Sequence, residues 1–261
     1  MRMLRRNALS FLTFMPIAAA AESAFAAPVA VPEEKPKTAG KILFVVTSHG
    51  ELGNTGRKTG YWLSEVTRPW KVLKDAGYEI DFMSPKGGEC PVEGQNPSDP
   101  VNKAFAQDLS AQKKINFTIK PSEVKPEEYK AIFFAGGHGV MWDFPDNKEL
   151  AAITSKIYEN GGVVAAVCHG PAALINVKLS NGKFLVDGKK INSFTNSEEK
   201  GIGLDKVVPC ALETALVKRG AKFQSSDNFQ SHVVVNDRVI TGQNPMSATA
   251  VGDAIRIALQ N

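Results

Sequence analysis

Cysteine is scarce in this chain, with three among 261 residues, too few for a disulfide framework. Neither sign of charge is in large excess. Thirty-one Lys and Arg stand against 27 Asp and Glu, a formal +4 with no long basic block, which argues against a nucleic-acid partner. No uninterrupted apolar run reaches the roughly 20 residues of a membrane span. There is no Gly-x-Gly-x-x-Gly fingerprint, no phosphate-binding loop and no internal repeat, so nothing in the chain asks for a dinucleotide or a nucleotide. Apolar residues make up 43% and charged residues 22%, near globular averages, which excludes disordered, collagen-like and coiled-coil chains.

What is present begins with an address. Arg2, Arg5 and Arg6 precede an uncharged stretch over residues 7–21, and Pro16 and Glu22 keep it from being a span. The small-residue site Ala24-Phe25-Ala26 follows. A basic start, a short apolar region and such a site describe a secretory signal peptide over residues 1–26. The Arg5-Arg6 pair with Leu9 and Phe11 suits a twin-arginine route. Cleavage after Ala26 removes three Arg and one Glu, taking the formal charge from +4 to +2. The expected product is an exported, periplasmic protein that is free of the membrane. Residues 27–40, with three prolines, two glutamates and two lysines, read as a flexible tether, and the domain runs over 41–261.

Within the domain, apolar runs alternate with amphipathic segments. Runs at 42–46, 131–135 and 163–167 suit strands buried on both faces of a parallel sheet. A fourth strand is expected at 78–83, and others at 190–195 and 222–223. A hairpin is expected over 233–241 around Asn236-Asp237. Helices are expected at 147–159 and 247–259. This rhythm predicts an α/β fold, a doubly wound, mostly parallel sheet sandwiched by helices. Residues 85–126, with six prolines, break it and read as an insertion over the carboxyl edge of the sheet and the active site.

Ligands bind at the carboxyl ends of strands in such sheets, and three of the four histidines sit there, as His49-Gly50, His138-Gly139 and His169-Gly170. In Val167-Cys168-His169-Gly170-Pro171 an apolar strand stops abruptly before a short helix, the layout of a nucleophile elbow. A helix N-terminus there is expected to lower the Cys168 thiol pKa. The N–H after the nucleophile would be free to hold an oxyanion. The glycine-rich turn Gly136-Gly137-His138-Gly139 supplies the other half of that site. Glu65, among Trp62, Val66 and Pro69, is placed to be half-buried, proton-holding and able to shuttle a proton. Cys90 reads as exposed and Cys210 as structural.

Three motifs together resemble the ThiJ/PfpI superfamily, of class I glutamine amidotransferase-like, flavodoxin-like fold. They are Glu65 in Gly-x-x-x-x-Glu-x-x-x-Pro, the turn at 135–139 and the block at 165–171. Gly136 to Pro145 and Asn160 to Pro171 are similar to the chaperone-glyoxalase branch. The resemblance implies Cys168 as nucleophile, His169 as its neighbouring base and Glu65 as the acid on the thiol. It also implies a triad carboxylate after Phe194-Thr195, Glu199 by its spacing with Glu198 as the alternative. Backbone N–H groups of Gly137, Gly139 and His169 would form the oxyanion site, with His138 beside the substrate. The implied activity converts methylglyoxal to D-lactate with no cofactor and no metal, as a homodimer acting on small reactive aldehydes, with deglycase activity beside it. Rival readings are a cysteine amidase or peptidase, a holding chaperone, and a metal site from His49, Glu51 and His138. Cys168 is expected at the base of a pocket under the 85–126 insertion.

Overall fold

The apolar runs of the sequence become strands buried on both faces in the computed structural model, which describes residues 38–260. The expected signal peptide and most of the expected tether lie outside the described residues. In chain order the strands are β1 (Lys41–Val45), β2 (Tyr61–Trp62), β3 (Glu79–Met83), β4 (Val92–Glu93), β5 (Tyr129–Phe134), β6 (Val163–Val167), β7 (Lys190–Ile191), β8 (Lys222–Phe223), β9 (Val233–Asn236) and β10 (Val239–Gly242). The helices are α1 (Leu63–Asp75), α2 (Pro100–Gln107), α3 (Leu109–Asn116), α4 (Val140–Asp143), α5 (Lys148–Glu159), α6 (Asn196–Gly201), α7 (Leu212–Lys218) and α8 (Ala248–Gln260).

One six-stranded sheet has the order β3-β1-β5-β6-β10-β9. Every neighbouring pair is parallel except β10 with β9. The hairpin between those two closes through Asp237, whose φ is 57°. Side chains alternate between faces along a strand, and the two cores follow that period. Leu43, Val45, Ile132, Phe134, Val164 and Ala166 pack on one side with α5. Ile42, Phe44, Phe133, Ala165 and Val167 pack on the other with α1 and α8. Because both faces are covered, β6 is buried at every position. Its carboxyl end therefore opens only at the edge where the loops gather, and that is where the site forms.

Two expectations about the frame need correction. Residues 85–126 are not a cover over the carboxyl edge. They hold α2 and α3, capped by the side chains of Asp99 and Asp108, and these helices dock beside the β3 edge. Phe105 stands edge-on to both Trp70 and Phe82, with Ala111 and Ile115 in the same core. Burying those apolar residues fixes the segment at the sheet's side, and only β4 reaches toward the site, by pairing with β2. The strand expected at 190–195 shrinks to Lys190–Ile191. Thr195 is diverted into capping α6, in a reciprocal box with Glu198, and the backbone before it turns away from the ladder.

Candidate active site

The chain leaves β6 at Cys168, whose φ is +59°. A non-glycine residue in that region carries strain of about 1 kcal/mol or more and persists only when its surroundings hold it. Here both sides do. Cys168 N–H donates to Gly242 O at 2.8 Å, and its carbonyl accepts from Phe194 N–H at 2.8 Å. The reversal places Sγ 3.3 Å from His169 Nδ1. His169 Nε2 lies 2.7 Å from Glu199 Oε2, and His138 Nε2 lies 3.0 Å from Glu199 Oε1. A carboxylate only accepts, so the network assigns both imidazoles their proton at Nε2. That leaves His169 Nδ1 as an acceptor for the thiol proton. Glu199 thus completes a chain of contacts running from Cys168 through His169 to a carboxylate.

Glu198 has another task. Its Oε2 accepts from the Thr195 N–H and hydroxyl at 2.9 and 3.0 Å. Its Oε1 accepts from Phe229 N–H at 2.8 Å, Asn244 Nδ2 at 2.9 Å and Gln243 Nε2 at 3.2 Å. It staples three segments of the pocket wall. The two neighbouring glutamates should therefore separate by experiment. Glu199→Gln offers one acceptor and one donor to two histidine donors, so one imidazole must change tautomer. Loss of about 100-fold or more in kcat/KM is expected, as for triad carboxylates elsewhere, with little change in unfolding temperature. Glu198→Gln should chiefly lower the unfolding temperature. The reverse pattern would exchange their roles.

Glu65, in the first turn of α1, is fully buried. Its Oε2 accepts from Gly136 N–H at 2.8 Å, and its Oε1 has no hydrogen-bond partner. Burial pushes its pKa up to about 8, although the bond from Gly136 and the nearby Cys168 thiol pull the other way. At neutral pH the group holds its proton. Close approach requires glycine here. A Cβ on Gly136 would stand 2.7 Å from Glu65 Oε2 and 2.8 Å from His169 N. Gly137, at φ +97°, would drive one to 2.3 Å from Gly60 O. The N–H groups of Gly137 and His169 both act on the Cys168 sulfur and lower its pKa, so two backbone donors face that sulfur.

The expectation of a lowered thiol pKa is overturned. Burial raises Cys168, and the Glu65 carboxyl raises it further, against the smaller pull of the two N–H groups. The element after the elbow is a five-residue 3-10 turn, Gly170–Leu174, too short to bring the dipole of a full helix. Burial likewise lowers His169, with His138 adding to the effect, to about 4. Glu199 is raised by burial, but hydrogen bonds from His138 and His169 outweigh that and hold it at about 2. At neutral pH the resting site is thus a thiol, a neutral imidazole on an ionised Glu199, and a protonated Glu65.

Cys168, only 4% exposed, sits at the base of a cavity of about 160 Å³. Its polar floor is Glu65, His138, Cys168 and His169, and no residue of 85–126 lines it. The walls instead come from Trp62, Phe194, Ile202, Phe229 and the 244–246 turn. Gly139 is a second correction. It lies outside the cavity, immediately before α4 as its N-cap, packed so closely on the His49 carbonyl and Thr47 that a Cβ would meet them at 2.5 and 2.7 Å. His49 also stands apart from His138, its Nε2 bonded to Glu51 O at 2.6 Å and its ring stacked on Trp142. Among the described residues, one group brings three potential metal ligands within 4.8 Å, and it is His138, His169 and Glu199. A cation there would take the base away from Cys168. Cys90 and Cys210 are unbridged and partly buried, so Cys90 is less open than expected. It packs on the core beside Thr118.

Sequence reasoning missed the roof of the pocket. Phe229, Asn244 and Met246 carried no motif, and only folding brings them over Cys168.

The chain is similar to several known proteins. The DJ-1/PfpI family model matches residues 58–256. Glutathione-independent glyoxalase HSP31 of Saccharomyces cerevisiae is 32% identical over 237 residues, covering 85% of this chain and 98% of that protein. Glyoxalase 3 of Candida albicans is 31% identical, covering 84% and 98%. Among solved structures, a rapid encystment protein of 24 kDa from Francisella tularensis superposes with a TM-score of 0.82 at 43% identity, covering 85% of this chain and all of that one. Glyoxalase III from Candida albicans superposes at 0.78 with 29% identity, covering 84% and 97%. The chain belongs to the DJ-1/PfpI family.

Proposed function

We propose that this protein is a glutathione-independent glyoxalase that turns methylglyoxal and related α-oxoaldehydes into 2-hydroxy acids, D-lactate in the case of methylglyoxal. The observation that carries the reading is a nucleophile, a base and a protonated carboxylic acid converging at the floor of one cavity. Cys168 Sγ bonds to the aldehyde carbon while its proton passes to His169 Nδ1 and Glu65 gives its proton to the aldehyde oxygen. The product is a hemithioacetal. Glu65, now ionised, takes the proton from that carbon, the electron pair moves between the two carbons, and the imidazolium protonates the second oxygen, giving an enediol. Glu65 then returns its proton to the second carbon, and the hydroxyl on the first gives its proton to His169, leaving a thioester. Water adds to the thioester, its proton passing to Glu65, and the sulfur leaves with the proton of His169. One carbon has been oxidised and its neighbour reduced, so no redox cofactor takes part. The N–H groups of Gly137 and His169 stabilise the oxyanions, and Glu199 stabilises each imidazolium.

The pH dependence follows with a definite sign. The working form needs His169 neutral, which fails below its value of about 4, and Glu65 protonated, which fails above its value of about 8. The kcat/KM for methylglyoxal is expected to be level between those limits and to fall about tenfold per pH unit above the upper one. A rate that climbs through pH 9 would assign the chemistry to a simple thiolate. The direct test is disappearance of methylglyoxal with formation of D-lactate by the purified mature protein without glutathione. We also assign it to the periplasm, on the strength of the sequence over residues 1–26.

A further inference from the structure

The cavity above Cys168 has two unlike halves. Every group able to react or to donate a proton lies at the floor. Higher up, polar capacity is already spent. Asn244 Nδ2 donates to Glu198 and to Gln230 O at 2.9 and 2.8 Å, and its Oδ1 accepts from Met246 N–H at 3.1 Å. No Lys or Arg lines the cavity. What remains facing the space is hydrocarbon, from Trp62, Phe194, Ile202, Phe229 and Met246.

A file of rings leads outward from the chemistry. His138 and His169 stand 4.2 Å apart, His169 and Phe194 4.5 Å, and Phe194 and Phe229 6.2 Å. Phe229 ends the file at the mouth, 43% exposed. Its φ of 60° is one a bulky side chain rarely adopts, and its N–H is pinned at 2.8 Å by the buried Glu198 carboxylate. A large apolar ring held half in water, on strained backbone and by a buried charge, calls for a functional reason.

We propose that this cavity selects α-oxoaldehydes carrying an uncharged apolar substituent, aryl above all, over methylglyoxal, with Phe229 as the residue that determines the selectivity. The inference rests on the glyoxalase reading and extends it to substrate class. The dicarbonyl head occupies the polar floor, and the substituent lies along the ring file, where methyl would leave the walls in contact with water. A hydrophobic wall discriminates by area covered. A charged substituent meets no counter-charge there and is rejected.

The test compares kcat/KM for phenylglyoxal, 4-carboxyphenylglyoxal and methylglyoxal in the wild-type protein and two variants. Phenylglyoxal should exceed methylglyoxal by at least about tenfold, and the carboxylate should forfeit that advantage. In Phe229→Ala the phenyl-to-methyl ratio should drop about tenfold, which cancels the intrinsic difference in electrophilicity. Phe229→Gly relieves the left-handed backbone, so its unfolding temperature should hold while the ratio still drops. A ratio that moves less than about threefold in both variants would overturn the proposal. Calorimetry on Cys168→Ser with mandelate and lactate, the corresponding 2-hydroxy acids, reads the preference without turnover. Mandelate binding about tenfold tighter supports the selectivity even if neither aldehyde is consumed, in which case only the glyoxalase reading fails. Equal affinities reject the selectivity whatever the turnover.

Discussion

Replacing Cys168 with alanine should lower methylglyoxal turnover by at least about 1,000-fold, the scale on which removal of a covalent nucleophile acts. No serine, threonine or lysine lines the cavity floor to stand in for it. The fold should survive, because the strained turn is held through backbone bonds to Gly242 and Phe194 that alanine keeps. Loss of one buried sulfur costs about 1 kcal/mol. Turnover and circular dichroism on the same preparation check this. Activity above about a tenth of wild type in Cys168→Ala would remove the covalent mechanism altogether.

Glu65→Gln should do two opposite things at once. Glutamine cannot give and retake a proton, so turnover should fall by about 100- to 10,000-fold, the usual worth of a general acid–base. Stability should rise. The folded-state pKa of Glu65 is raised from 4.5 to about 8 by burial, so between those values the unfolded chain has released a proton that folding must recover. The sign is therefore a loss of stability as pH climbs from about 4.5 to 8, reaching about 3 kcal/mol by pH 7 at roughly 1.4 kcal/mol per unit. Glutamine removes that cost, keeps an acceptor for Gly136, and supplies a neutral group at the unpaired Oε1 position. Unfolding midpoints measured from pH 4.5 to 8 should be several degrees higher in the variant at the alkaline end, and nearly equal at the acid end. Parallel curves for the two proteins would mean that Glu65 is ionised in the folded state, and the acid-first mechanism would fall with it. With the expected divergence of the curves, the buried acid is an example of stability given up for function.

Much of the frame was legible because it depends on local signals. Apolar runs of five residues, followed by Thr47, Gly136 and Cys168, fit a sheet covered on both faces. The abrupt end of the strand at Cys168-His169-Gly170-Pro171 marked the elbow. The helices at 100–107 and 109–116 were hidden because their apolar positions are few, Phe105, Ala111 and Ile115 among them, and contact with Trp70 and Phe82 supplies what periodicity lacks. The choice between Glu198 and Glu199 was beyond spacing. Side chains one residue apart on a helix point about 100° from each other. That rotation sends one carboxylate to two imidazoles and the other to Thr195, Phe229 and Asn244.

The amino-acid order alone determined the strand-and-helix rhythm, the elbow and the cysteine that stands on it, since each is written within a few consecutive residues. Tertiary structure decided the protonation states. A thiol pKa depends on what surrounds the sulfur, and here burial and then Glu65 from the first helix push it up against the smaller pull of the His169 and Gly137 N–H groups. Tertiary structure also decided the roof of the pocket. Phe194, Phe229 and Met246 meet above Cys168 only because long-range hydrogen bonds to one buried glutamate draw their loops together, and no local pattern records a contact made across the fold.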